Sequence, residues 1–101
     1  MATIYITELK GLTKDSLNGF VTPVAELPPI AEQTVAISGS SASSSAFNAA
    51  TGLIRVISDS VCSVSIAVAP TATTSTMRLA ADSAEYFRVA PGQKLAVILN
   101  T

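Results

Sequence analysis

Histidine and tryptophan are absent from this chain, cysteine occurs once, and charged side chains make up only 13% of it. The missing histidine removes Ser-His-Asp and Cys-His nucleophile activation, together with the imidazole ligands on which most zinc sites depend. The lone Cys62 excludes an internal disulfide framework. It lies in VCSVSIAV and is read as facing away from Val64, Ile66 and Val68, an inert small hydrophobe with no second thiol or imidazole to activate it. The phosphate-cradling glycine patterns GxGxxG and GxxxxGKS/T do not occur, nor does a DxDxDG-type calcium loop. Asp59, Asp82 and Glu85 fall near turn signals, where acidic side chains cap backbone amides. No catalytic residue, metal ligand or cofactor site is assigned, and an enzyme is not expected.

The scarcity of charge carries its own message. Globular domains average about 25% charged residues, and here six basic side chains stand against seven acidic ones. Arg55, Arg78 and Arg88 can share a sheet face with Tyr86, but the near-neutral balance offers no electrostatic footprint for nucleic acid. A surface poor in charge is either covered with uncharged Ser and Thr or covered by other subunits. The second explanation is adopted, because interface cores are depleted in charge. The longest apolar runs, such as Leu95 to Leu99, are far shorter than the ~20 residues of a spanning helix, so no membrane segment is expected. MATIYITELK has neither the basic nor the apolar region of a signal peptide, and synthesis in the cytoplasm follows as an expectation.

What is present is alternation. The 101 residues are enough for one modest core. Ile4 and Ile6 alternate with Thr3, Tyr5 and Thr7, Val35 and Ile37 mark a strand over Thr34 to Ser38, and Ile54 and Val56 mark another over Leu53 to Ser58. Val64, Ile66 and Val68 are read as inward across Val61 to Ala69, and Met77 to Ala81 as one more short strand. Ala46 to Thr51 leans toward strand. Near the C-terminus, Phe87 and Val89 alternate with Tyr86 and Arg88, then Leu95, Val97 and Leu99 alternate with Lys94, Ala96 and Ile98. Between them, Ala90-Pro91-Gly92-Gln93 has Pro and Gly where a type II turn wants them, and the whole reads as a hairpin. Seven or eight short strands without an amphipathic helix predict an all-β fold, a small antiparallel β-sandwich or jelly-roll-like barrel.

Residues 10 to 33 interrupt this pattern. Pro23, Pro28 and Pro29 disfavour helix, and the Pro28-Pro29 pair favours an extended, polyproline-like path. Two dozen residues without periodicity are long for a connection in a small domain. The chain is therefore divided into an N-terminal strand with a Pro-containing extended arm, residues 1–33, and a β-sandwich domain, residues 34–101. Interface positions are assigned to Phe20, Val21, Pro23, Leu27, Pro28, Pro29 and Ile30 of the arm, with Tyr86 and Arg88 on the outward face of the closing strands. VCSVSIAV is also read as a poorly protected sheet edge that an oligomer would cover.

From Leu27 to Ile98 the chain resembles small virion proteins of tailed bacteriophages, in particular head decoration (cement) proteins. The likeness rests on a Pro-containing arm, a Ser/Ala/Thr-rich β domain and the closing F-x-V-x-P-G-Q-x-L-x-V segment, Phe87 to Val97. It implies a structural protein on a capsid surface, made in the host cytoplasm. Its partner would be the major capsid protein, whose neighbouring capsomers it would clamp as a homo-oligomer, expected to be a trimer. The alternative is a tail or fibre component or a carbohydrate-binding adaptor.

Overall fold

The computed structural model describes residues 2–10, 12–14, 21–25 and 29–100. The fold is all-β: two antiparallel four-stranded sheets face each other as a sandwich, and a two-stranded ribbon joins neither. The first sheet contains β1 (Ala2–Leu9), β4 (Ala31–Ile37), β6 (Leu53–Ser58) and β9 (Glu85–Arg88), in the order β4-β1-β6-β9. The second contains β5 (Ala42–Ser43), β7 (Cys62–Ala67), β8 (Met77–Leu79) and β10 (Lys94–Leu99), in the order β5-β10-β7-β8. The ribbon is β2 (Leu12–Lys14) against β3 (Val21–Ala25).

Alternation fills the space between the sheets. Ile4, Ile6, Val35, Ile37, Ile54 and Val56 enter from the first sheet, and Cys62, Val64, Leu79, Leu95 and Val97 from the second. Phe47 and Val89 close the core from connecting segments. Cys62 corrects the expectation drawn for it. Residues two apart in a strand point the same way, so Cys62 shares the inner face with Val64 and is fully buried. Val68 is also corrected: the strand ends at Ala67, the chain bends, and Val68 is 70% exposed.

The Pro-Gly turn forms, but the hairpin around it does not. Gln93 donates its amide to the Ala90 carbonyl at 3.3 Å, and Gly92 takes φ 83, a conformation that favours glycine. The strands it joins lie in different sheets: β9 pairs with β6, whereas β10 pairs with β5 and β7. Alternation specifies which side chains face inward and leaves the hydrogen-bonding partner open, so this reversal carries the chain across the sandwich. VCSVSIAV likewise is no edge: β7 lies between β10 and β8. Ala46 to Thr51 is not a strand either. Asn48 Oδ1 accepts the Ala50 amide at 3.0 Å and the Asn48 carbonyl accepts the Thr51 amide at 3.0 Å, a turn built by the Asn side chain.

The N-terminal region is part of the sandwich. β1 pairs with β4 from Ala2↔Ile37 to Glu8↔Ala31 and with β6 on its other side, so it is an interior strand of the first sheet. β4 begins at Ala31, three residues before the strand read from the sequence. Beyond Glu8↔Ala31 the same two chain segments pair again at Leu12↔Ala25 and Lys14↔Val21. The expected extended arm is thus, in its described part, a β-ribbon that continues the β1–β4 hairpin past the sandwich. Pro23 falls between those two register pairs, where the pairing shifts, and so interrupts no regular ladder there. The overall extents of 48 × 25 × 21 Å and the radius of gyration of 14.0 Å describe an elongated molecule; a compact chain of this length would have a radius near 13 Å.

Candidate functional site

Two outward sheet faces, the ribbon and one buried carboxylate are the features beyond the core. Cross-strand partners share a face, which fixes the outward rows of the first sheet. Thr34, Tyr5 and Ile57 form one row, and Glu32, Thr7, Arg55 and Tyr86 form the next. Leu9, Leu53 and Arg88 follow toward the ribbon end, with Leu9 buried. Tyr5 is 49% exposed and Tyr86 51%. Glu32, Thr34, Ala36 and Arg88 are also exposed, while Leu53, Arg55 and Ile57 are half-buried by their neighbours. Both tyrosines of the chain therefore stand on one open face. Arg78 does not join them, because it belongs to β8 in the other sheet.

The outside of the second sheet is covered at its centre, while Ser43 and Arg78 on its outer strands stay exposed. Ala96 and Ser63 point outward by register, yet both are fully buried. The connection from Val68 to Thr76 accounts for this by lying over them. Its Ala72 amide donates to Ser41 Oγ at 2.9 Å, beside β5, and Ala72 itself is buried. Asn100 Nδ2 donates to Ser63 Oγ at 2.7 Å and to the Thr74 carbonyl at 3.2 Å, pinning the loop to the sheet beneath.

Glu8 faces inward at the ribbon end of β1 and is 3% exposed. Its Oε1 accepts from the Asn48 amide and from Thr51 Oγ1, both at 2.8 Å, and its Oε2 accepts from Gln33 Nε2 at 3.2 Å. These neutral donors satisfy the carboxylate and tie β1 and β4 to the 48–51 turn. Nearby, Gly52 donates its amide to the Leu9 carbonyl at 3.1 Å, and a Cβ there would sit 2.9 Å from the Lys10 carbonyl oxygen, so the close approach requires glycine. Alternation already sets Glu8 on the inward face of Ile4 and Ile6; what the sequence leaves open is the Asn48, Thr51 and Gln33 donors that let an acid stay there.

Among the described residues, the remaining acids bond the backbone or stand at the surface. Asp59 Oδ1 accepts the Thr3 amide at 2.7 Å, and Asp82, at φ 57, donates its amide to the Ser58 carbonyl at 2.7 Å. Glu85 lies in β9 opposite Val56 rather than in a turn. Burial raises the Cys62 thiol pKa, and a hydrogen bond with Ser58 pulls it partly back. Among the described residues, no group of three or more His, Cys, Asp or Glu side chains is placed to hold a metal ion, and no helix is long and apolar enough to cross a membrane.

Of the interface positions assigned from sequence, Tyr86 and Arg88 are exposed on the outward side of β9. Pro29 and Ile30 are half-buried where the ribbon re-enters the sheet, with the Ile30 amide donating to the Glu8 carbonyl at 2.8 Å. Val21 and Pro23 belong to β3. Phe20, Leu27 and Pro28 lie outside the described residues. Tyr5, Glu32 and Ile57 were not among the assigned positions, although the alternation Thr3-Tyr5-Thr7 already set Tyr5 outward. No protein family, curated protein or solved structure matches this chain.

Proposed function

We propose that this chain is a structural assembly protein, a decoration protein that docks on a tailed-phage capsid and holds neighbouring capsomers together as a homo-oligomer. The observation that carries the reading is the β2–β3 ribbon, which extends the β1–β4 hairpin and joins neither sheet. A two-stranded ribbon alone is marginally stable in water, so it gains most by lying against another protein. The scarcity of charged residues and the resemblance to head decoration proteins support the same reading, with the capsid surface as the location and the major capsid protein as the partner. No catalytic role is assigned to any residue.

The test replaces residues 11–29 by Asn-Gly-Thr, in which Asn-Gly is a two-residue turn suited to joining β1 directly to β4. The variant is expected to keep the sandwich fold by circular dichroism and to lose binding to capsids assembled without the protein. A folded variant that binds such capsids with undiminished affinity overturns the docking role of the ribbon. A carbohydrate-binding adaptor is the second reading, favoured by the exposure of Tyr5 and Tyr86 on one face, since tyrosine rings stack on sugars. Glycan-array binding that is lost on Tyr86→Ala would replace the capsid reading with this one.

A further inference from the structure

The open face of the first sheet has its charges sorted by edge. Glu32 stands on β4 at one side, and Arg55 and Arg88 stand on β6 and β9 toward the other. Between them lie Tyr5 and Ile57, directly paired across β1 and β6. We propose that this face binds the same face of a second copy, about a two-fold axis running roughly along the strands. This goes beyond the capsid reading and does not depend on it, and it specifies a two-fold contact where the resemblance implies three copies.

The symmetry follows from geometry. A two-fold axis parallel to the strands, between β1 and β6, exchanges the β4 and β9 edges while keeping each row at its own height. Glu32 of each copy then meets Tyr86 of the other, with Arg55 beside it in the same row and Arg88 in the next. Tyr5 of each copy meets Ile57 of the other, placing an aromatic and an aliphatic side chain at the centre, where hot spots concentrate. The other in-plane axis, across the strands through the Glu32 row, sets Glu32 against Glu32 and Arg55 against Arg55. Like charges in contact disfavour it by several kcal/mol.

Size agrees with this arrangement. Four strands at ~4.8 Å spacing and outward rows at ~6.8 Å intervals bound a face of at most about 20 Å on a side, to which β9 adds only Tyr86 and Arg88. Two copies then bury at most about 1,000 Å², the lower bound for a specific interface. An interface of that size suits reversible rather than permanent association. Because the axis preserves strand direction, both ribbons leave the pair at the same end.

The experiment is sedimentation equilibrium at tens of micromolar on the full chain, with charge-swapped variants. Wild type is expected to reach twice the 10.3 kDa subunit mass. Glu32→Arg, and separately the double variant Arg55→Glu with Arg88→Glu, place like charges at both contacts and should each weaken self-association roughly a hundredfold. Mixing the two variants restores opposite charges at both contacts, so an equimolar mixture should again show the dimer mass. A variant that merely failed to fold could not be rescued in this way. A wild-type monomer or trimer overturns the pairing, as does a Glu32→Arg variant that dimerises normally. A wild-type monomer whose capsid binding is lost on Ile57→Lys likewise overturns it and gives the face to the capsid. Loss of capsid binding by the ribbon replacement with the dimer intact leaves the pairing standing.

Discussion

The two outer faces of the sandwich are made alike and end differently. Each is a four-stranded antiparallel surface whose outward positions alternate with a buried row. On the first sheet Tyr5 and Tyr86 stay about half exposed, although Leu9, outward by register at the ribbon end, is buried. On the second, Ser63 and Ala96 are sealed beneath the 68–76 loop. The difference follows from residue size. Ser63 and Ala96 at the centre leave room for a loop to lie flat, while Lys94, Ile98 and Arg78 around them stay half-buried or exposed, and Tyr5, Tyr86 and Arg55 stand too tall for one. Small residues at the centre of a sheet face invite the chain to cover them, and large amphipathic ones there leave the face for something else.

A matched pair of alanines tests that difference most severely. Ala96 and Ala36 both point outward, one sealed and one exposed. Ala96→Glu buries a carboxylate under the loop and overfills the site, and should lower stability by about 4 kcal/mol. Ala36→Glu should change it by no more than ~0.5 kcal/mol. Urea denaturation of both variants measures the contrast, and equal losses would mean the two faces are equally covered.

Next in size are the pins of the loop. Asn100→Ala removes the donor shared by Ser63 and Thr74, and Ser41→Ala removes the acceptor of the Ala72 amide. Each should lower stability by about 1–2 kcal/mol, because a buried polar partner is left unmet. Hydrogen exchange would show the change localised to the 70–76 loop. Uniform loss of protection across both sheets would mean the loop opens only with global unfolding.

Much of the sandwich was legible in the sequence, because a half-buried strand advertises itself by period two. Ile4 and Ile6, Ile54 and Val56, and Leu95 and Val97 face inward as their spacing requires. What the pattern withholds is pairing. Phe87 to Val97 contains a correct Pro-Gly turn, yet its two strands separate into different sheets, since period two says nothing about which neighbour a strand bonds. Residues 10–33 read as an arm for a similar reason: they lack alternation, while the described ribbon within them continues a hairpin whose second strand starts at Ala31. Of the open face, Tyr86 and Arg88 were found by alternation within one strand. Their grouping with Tyr5 and Glu32 needed the order β4-β1-β6-β9.

Cys62 gives a smaller effect, on the inner side of the covered sheet. Burial raises its thiol pKa above that of the unfolded chain. The folded state therefore holds the proton more tightly, and the associated stability is complete below the unfolded thiol pKa of ~8.5. It is lost as pH rises through the higher folded value. Wild type should thus lose stability in the alkaline range by an increment that Cys62→Ala lacks, measurable as a difference in urea midpoint between neutral and alkaline buffer. Parallel pH profiles for the two proteins would show that the thiol stays solvated.

The smallest effect belongs to the open face itself. Tyr86→Thr keeps a side chain suited to a strand and removes an aromatic ring that is half exposed and at an edge. In dilute solution, where copies are apart, it should alter stability by about 0.5 kcal/mol or less. At concentrations where copies meet, the same substitution removes the ring facing Glu32 and should weaken self-association. A residue retained for folding behaves in the opposite way, with a loss of stability that does not depend on protein concentration. Comparing the urea midpoint at low and high concentration, for Tyr86→Thr and wild type together, separates the two roles. A concentration-independent loss above ~2 kcal/mol would make the open face a structural layer like the covered one.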